Sequence, residues 1–394
     1  MKHKPLFGRL LILALFITFV PAALASSTWY VNGVNGNDDN NCQTPQNACK
    51  TIDHAISLAS SGDSIMVAPA IYRETLTINF SLKIVGSNAK TTIIDGGGID
   101  TVIHVPRRSA SVVLSALTIR DGSTGIVSYG TLAADDITIS GNSPRGGIEN
   151  DGTMMLDHST ISGNTVNGGS FSAGGGVNNG GMLTINNSTI SENIAKGTYV
   201  CGGGVFNDGT TLTITNSTLD GNQASGDINS AGGGINSVDG ALVLNNSTLS
   251  GNVATATGSG YGSGIANGRC FVDGSASFSV TLQNSIIANS KGGNCYGPMT
   301  SNGYNLSSDD TCHFKSAGDL NNTHPELGPL KNNGGPTKTK AELLGSPTID
   351  AGNPSGCTDS RGHLLKTDQR GEPRPGKYKH DKRCDMGAFE RQSD

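Results

Sequence analysis

The chain has 394 residues and a formal net charge of −5, with 56 glycines, 5% aromatic and 15% charged residues. That balance gives no reason to expect a nucleic-acid partner, and the regular recurrence of Ile, Val and Thr argues against disorder. No segment after residue 25 approaches the run of about 18 apolar residues that a membrane span needs.

Residues 1–25 have the three parts of a secretory signal: Lys2, Lys4 and Arg9, an apolar stretch over 10–20, and Ala23-Leu24-Ala25 before Ser26. The mature chain is therefore expected outside the cell or on a bacterial surface, outer-membrane association included. Residues 26–62 read as an N-terminal cap, because Ile52, Ala55, Ile56 and Ala59 fall at helical spacing within 50–60. Such a cap is needed, since an open stack of strands exposes unpaired edges.

From residue 63 to 290 the sequence repeats. Strand-like runs at 64–67, 76–78, 82–85, 92–94 and 102–105 lead into a series in which Thr118, Thr138, Thr160, Thr189, Thr218 and Thr248 are equivalent. Each unit carries three short elements: Leu183-Thr184-Ile185, Ser188-Thr189-Ile190 and, after a glycine cluster, Gly204-Val205, with counterparts in its neighbours. Each alternates with period two between Gly, Asn or Asp, and no helical run separates them. One unit cannot bury its apolar side alone; stacked about 4.8 Å apart, the units share a core. The prediction is an all-β fold, a single-stranded right-handed parallel β-helix.

Asn142, Asn164, Asn193, Asn222 and Asn252 end the second element and are expected to stack as a ladder. The stretch between that Asn and the glycine cluster lengthens to eight or nine residues, as over 165–173 and 253–261. These insertions should emerge along one edge, where Phe171, Tyr199 and Tyr261 are candidates for stacking on sugar rings.

The strand faces carry little acid. Among outward positions of the first and third elements only Glu149 is acidic, and between 121 and 290 the only bases are Arg145, Lys196 and Arg269. A Ca²⁺-dependent lyase site on stacked carboxylates is not expected there. Asp135-Asp136 occupies the turn position of Asn186-Asn187, so it reads as a turn, and His104 and His158 read as isolated.

Residues 291–394 lose the repeat signature and are predicted to form an irregular C-terminal cap. In it Asp350, Asp359, Asp368, Arg370, Arg374, Asp385 and Glu390 suit an ion-pair network, with a structural Ca²⁺ as the alternative. Eight cysteines fit an oxidising compartment. Proximity pairs Cys42 with Cys49, Cys295 with Cys312, and Cys357 with Cys384. Cys201 and Cys270 lie two coils apart, about 9.6 Å in a straight stack, beyond the ~7 Å reach of a disulfide. Only the extra loop holding Cys270 could bring them together, so that pairing stays open.

Three stretches resemble known groups. Trp29-Tyr30-Val31-Asn32-Gly33, with Cys49-Lys50-Thr51-Ile52 and Gly62-Asp63-Ser64-Ile65-Met66-Val67, resembles the opening of exported pectate-lyase-like β-helix proteins. The Gly-Gly-Gly-Val/Ile and Asn-Ser-Thr-Ile/Leu repeats resemble those of polymorphic outer-membrane and adhesin-like proteins. Asn333-Gly334-Gly335-Pro336-Thr337, Gly345-Ser346-Pro347-Thr348-Ile349-Asp350-Ala351-Gly352, Asp368-Gln369-Arg370-Gly371 and Asp385-Met386-Gly387-Ala388-Phe389-Glu390 are similar to the choice-of-anchor Q domain. The resemblance implies a surface or extracellular β-helix without fixing an activity. The expected function is non-catalytic, adhesin-like contact with a polysaccharide or cell-surface glycan by a monomer lacking cofactor or catalytic metal. The alternative is a polysaccharide lyase or glycoside hydrolase.

Overall fold

Short apolar alternations bounded by Asn and Gly can only pair with copies of themselves, and they do so in register. The computed structural model describes residues 26–270, 278–376 and 383–392, so the expected signal segment lies outside the described residues. The elements stack into three parallel faces. The first face runs from Thr28–Val31 and Ser64–Val67, through Met182–Asn186, Thr211–Thr215 and Ala241–Asn245, to Thr300–Ser301. Thr160–Ser162, Thr189–Ser191, Thr218–Asp220 and Thr248–Ser250 belong to the second. A third, nine-stranded face contains Val177–Asn179, Val205–Asn207, Ile235–Ser237 and Ile265–Asn267. The chain is a parallel β-helix, wound in the right-handed sense that twisted strands favour.

Like stacks on like inside it. Leu183, Leu212 and Leu242 pair in one column, and Ile185, Ile214 and Leu244 in another, all without solvent exposure. Each fully buried aliphatic side chain of this kind stabilises by roughly 1.5–3 kcal/mol. At the corner, Asn193 Oδ1 accepts from the backbone N (3.1 Å) and Nδ2 (2.9 Å) of Asn164. Its own Nδ2 donates to Asn222 Oδ1 (3.0 Å) and to Ile161 O (2.9 Å). The same pattern links Asn142 below and Asn252 above. Two further ladders gave no clear sequence signal: Asn150–Asn179–Asn207, joined by amide contacts of 2.7 Å, and a column of Ser188, Ser217 and Ser247 hydroxyls accepting from backbone N–H groups one coil away.

At the N-terminal end the helix Ile52–Leu58 buries Ile52, Ala55 and Ile56. Thr51 Oγ1 caps it at His54 N (3.3 Å), and Glu74 from the next coil accepts from the N–H groups of Ile52 and Asp53. The stack overruns the segments read as caps. Thr28–Val31 already pairs with Ser64–Val67, and Cys295–Tyr296, Thr300–Ser301 and Leu306–Ser307 continue the three faces past residue 290.

Two outward faces expected to meet solvent are covered. The insertions are strands: Thr165–Asn167, Phe171–Ala173, Ile194–Cys201, Gln223–Ala231, Val253–Ala256 and Ser259–Tyr261 form a six-stranded parallel sheet. It packs on the third face, burying Phe206 and Ala266 in a satellite cluster with Ala173, Cys201, Ala231, Val238 and Cys270. Thr189, Thr218 and Thr248 of the second-face Thr column are buried by the C-terminal segment, which folds back along the flank after the antiparallel hairpin Leu327–Lys331/Thr339–Glu342. Gln369 bridges this column: its Oε1 accepts from Thr218 Oγ1 (2.6 Å) and its Nε2 donates to Thr189 Oγ1 (3.0 Å). Thr189 Oγ1 also donates to Lys338 O (2.6 Å), and Ala388 N donates to Thr248 Oγ1 (3.0 Å). A Thr hydroxyl on an outward strand position thus serves as a docking group.

Cys42–Cys49, Cys295–Cys312 and Cys357–Cys384 are bonded, and so is Cys201–Cys270, at a Cα separation of 5.8 Å. Cys270 is thus brought within reach of Cys201, and the pairing left open by the straight-stack spacing is made. In the C-terminal segment Asp368 pairs with Arg370 at 2.7 Å, whose guanidinium lies 3.6 Å over the Phe389 ring, and Arg374 stands 3.6 Å from Glu390. Asp359 stands apart with His363 (3.1 Å).

Glu342, Asp385 and Glu390 are buried together. Burial, and then Asp385 and Glu390, push the Glu342 carboxyl well above its ordinary range, so it stays protonated against Asp385. Burial raises Glu390 to about 7 despite Arg374. Both acids hold a proton more tightly folded than unfolded. The contribution of Glu390 to stability is complete below the ordinary Glu value near 4.5 and drains away as pH rises through about 7, and that of the more strongly raised Glu342 goes on draining above it. Unfolding temperature measured against pH should fall across that window. Glu342→Gln, which keeps the donor and cannot ionise, should flatten the fall; an unchanged slope refutes the assignment.

Candidate functional site

The satellite cluster leaves a pocket of about 400 Å³ at its rim, lined by Phe171, Phe206, Asp208, Val238, Asp239 and Arg269. Phe206 reaches it from the third face, and Phe171 from the inserted sheet. Their rings meet edge to face, 6.2 Å between centroids, with Phe171 44% exposed. Asp208 and Asp239 follow the strands Val205–Asn207 and Ile235–Ser237 of adjacent coils. Burial, and then the charge of Asp239, raise the Asp208 pKa, while Arg269 opposes them. An apolar wall with polar groups at its edge matches the surface of a sugar ring, which has C–H faces and a hydroxyl rim.

Of the aromatic candidates, the structure brings Phe171 beside Tyr199, its register partner. Tyr261 is not part of the same strip: it pairs in register with Ala231 and lies against Tyr296, centroids 4.6 Å apart. Sequence reasoning missed Asp208 and Asp239. Both precede glycine, so they read as turn residues; their one distinguishing sign was their place three and four residues after third-face strand starts.

A second locus lies on the opposite flank. A cleft of about 560 Å³ between the second face and the hairpin is lined by residues including Lys90, Asp136, His158, Glu192 and Lys338. His158 is not isolated: Nδ1 lies 3.2 Å from Asp135 and 3.3 Å from Asp157. Asp135 and Asp157 are register partners on adjacent coils, a juxtaposition that a spacing of 22 residues conceals. Asp136 does take the positive φ (51°) of a turn, as Asn187 (49°) does at the equivalent place. Two carboxylates and an imidazole within 4.8 Å could orient the ring as a base or bind a cation. His104 packs edge-on against Tyr129.

Among solved structures, the fold is similar to the pectate lyase Pel9A, at 16% identity over 93% of this chain and 98% of that one, with a TM-score of 0.51. Pectin methylesterase PemA from Erwinia chrysanthemi (14% identity, 70% and 81% covered, TM-score 0.34) also matches. So does the GH136 lacto-N-biosidase from Eubacterium ramulus (12% identity, 71% and 64% covered, TM-score 0.37). No family model and no curated protein sequence matches the chain. It is a parallel β-helix protein with a pectate-lyase-like fold, and these likenesses extend to the fold alone.

Proposed function

We propose that this is an exported β-helix protein that contacts glycan through the Phe171–Phe206 pocket, without catalysis at that site. The observation that carries the reading is the pairing of an exposed aromatic edge with two aspartates and an arginine on a rigid strand scaffold. Rigid aromatic contact lowers the ordering cost of binding. Four disulfides suit an oxidising compartment, and among the described residues no helix is long and apolar enough to cross a membrane. The motifs similar to choice-of-anchor Q supply Gln369 and Ala388, which hold the C-terminal segment on the flank. We read that segment as a docked module, residues 1–25 as a removed leader, and the mature chain as a monomer.

The second reading, catalysis on a polysaccharide, is favoured by His158 with Asp135 and Asp157 beside the opposite cleft. A titration of neutral, amino- and uronate-oligosaccharides with the mature chain tests both. Binding by at least one class is expected, weakened about tenfold by Phe171→Ala, the scale of one lost aromatic contact. Phe171 is exposed enough for the variant to fold. Absence of binding, or binding indifferent to Phe171, overturns the pocket reading. Chain cleavage that disappears with His158→Asn establishes the second.

A further inference from the structure

The Thr column of the second face is a row of docking groups with a gap in it. On one side of the gap Thr118 Oγ1 donates to Ala89 O (2.5 Å), and on the other Thr189 Oγ1 donates to Lys338 O (2.6 Å). Between them lie Thr138 and Thr160, register partners on adjacent coils. Both are half-buried, and among the described residues their hydroxyls have no hydrogen-bond partner. They face the cleft of about 560 Å³ that is walled by the 88–90 loop and the 332–338 stretch. Thr118 and Thr189 stand three coil rises apart, about 14 Å, the length of about four extended residues. The polypeptide layer that covers the column is thus interrupted over one short peptide length.

The covered rungs show what chemistry the column reads. Among the described residues, every hydrogen-bond partner of the Thr118, Thr189, Thr218 and Thr248 hydroxyls is an amide group: the carbonyls of Ala89 and Lys338, the N–H of Ala388 and the carboxamide of Gln369. One carboxamide suits two stacked rungs because it has an acceptor end and a donor end. Gln369 uses both, Oε1 on Thr218 (2.6 Å) and Nε2 on Thr189 (3.0 Å). Thr138 and Thr160 offer the same pair of hydroxyls one coil apart, with nothing bridging them.

We infer that this cleft docks a segment of a partner polypeptide that presents a glutamine, its carboxamide bridging Thr160 and Thr138 as Gln369 bridges Thr218 and Thr189. The site continues an interface that the C-terminal segment already makes on the same column. The charges fit as well. Gln369 stands between Asp368 and Arg370, and the cleft is lined by Lys90 and Lys338 together with Asp136 and Glu192. A partner glutamine flanked by one acid and one base finds an opposite charge for each. The inference is independent of the glycan reading, which concerns the other flank.

The probe is a blocked peptide with the sequence of residues 366–372, Lys-Thr-Asp-Gln-Arg-Gly-Glu, titrated into the mature chain and followed by backbone amide chemical shifts. Saturable binding is expected, with shifts centred on 137–139 and 159–161. Methionine in place of the peptide's glutamine should weaken it about tenfold, the scale of a lost pair of hydrogen bonds. Thr138→Val and Thr160→Val in the protein should each weaken it by a similar factor. Thr160→Ser, which keeps the hydroxyl, should retain binding, and so should Thr213→Val, half-buried on the first face and away from the cleft. No saturable binding up to about 10 mM peptide, or binding indifferent to the glutamine or to both threonines, overturns the inference. A neutral oligosaccharide that occupies the cleft in the peptide's place overturns it too, as does self-association of the chain that Thr160→Val abolishes, since each assigns the cleft to another occupant.

Discussion

Asn193→Asp should cost about 3–5 kcal/mol of folding stability, the largest effect expected from any near-isosteric change in the chain. The side chain has no solvent exposure and uses both ends: Oδ1 accepts twice from Asn164, and Nδ2 donates to Asn222 Oδ1 and Ile161 O. Aspartate has the same shape but cannot donate. It would aim a carboxylate at two carbonyl-type oxygens in a dry corner, where an unpaired charge is strongly disfavoured. Protonation offers partial relief, so the loss should be smaller at acidic pH, and denaturant unfolding at two pH values would display that. Because the coils stack one on another, the damage should spread along the ladder to Asn164 and Asn222, visible as faster amide exchange there. A stability within about 0.5 kcal/mol of the parent would mean that the ladder contributes little.

Gly387→Ala is the second large expectation. Gly387 has φ of +91°, a region that residues with a Cβ avoid. The added methyl would also stand 2.7 Å from Thr248 Oγ1 and 2.8 Å from Ile286 Cδ1. Neither neighbour can yield easily: Thr248 accepts from Ala388 N, and Ile286 is fully buried. Backbone strain and overpacking should each cost about 1–3 kcal/mol. The β-helix has its own core, so the loss should appear as detachment of the C-terminal segment before global unfolding. Limited proteolysis should then cut between residues 320 and 350 in the variant and spare the coils. A variant as resistant as the parent would show that the segment is not held by this contact.

The sequence made the interior legible and the covering layers illegible. Leu183, Leu212 and Leu242 repeat at 29 and 30 residues, so columns, turns and the Asn142–Asn252 ladder follow from periodicity alone. What periodicity cannot reveal is a second layer, because an outward residue looks the same whether it meets water or protein. Thr189 and Thr218 have the composition of an exposed strand, yet they are buried by Gln369, which lies 180 and 151 residues further along the chain. The inserted strands were hidden for a related reason. Ile194–Cys201 and Gln223–Ala231 contain Gly, Lys and Asn and read as loops, but parallel pairing with equivalent insertions satisfies their backbone. The pocket exists only because that inserted sheet reaches Phe206. Phe171 could be picked out as an aromatic residue in an insertion; Asp208 and Asp239 could not, since Asp-Gly is a common turn. His158 with Asp135 and Asp157 required the coil register, which the alignment of Thr138 with Thr160 already contained.

Hydrogen–deuterium exchange of the mature chain with and without a saturating oligosaccharide tests the central claim most directly, because it locates the contact as well as detecting it. Protection should concentrate on 171–173, 205–209 and 237–240, the backbone around Phe171, Phe206, Asp208 and Asp239, and leave the cleft residues 158–162 and 335–338 unchanged. Protection confined to the cleft, or none anywhere on the coils, would contradict the account.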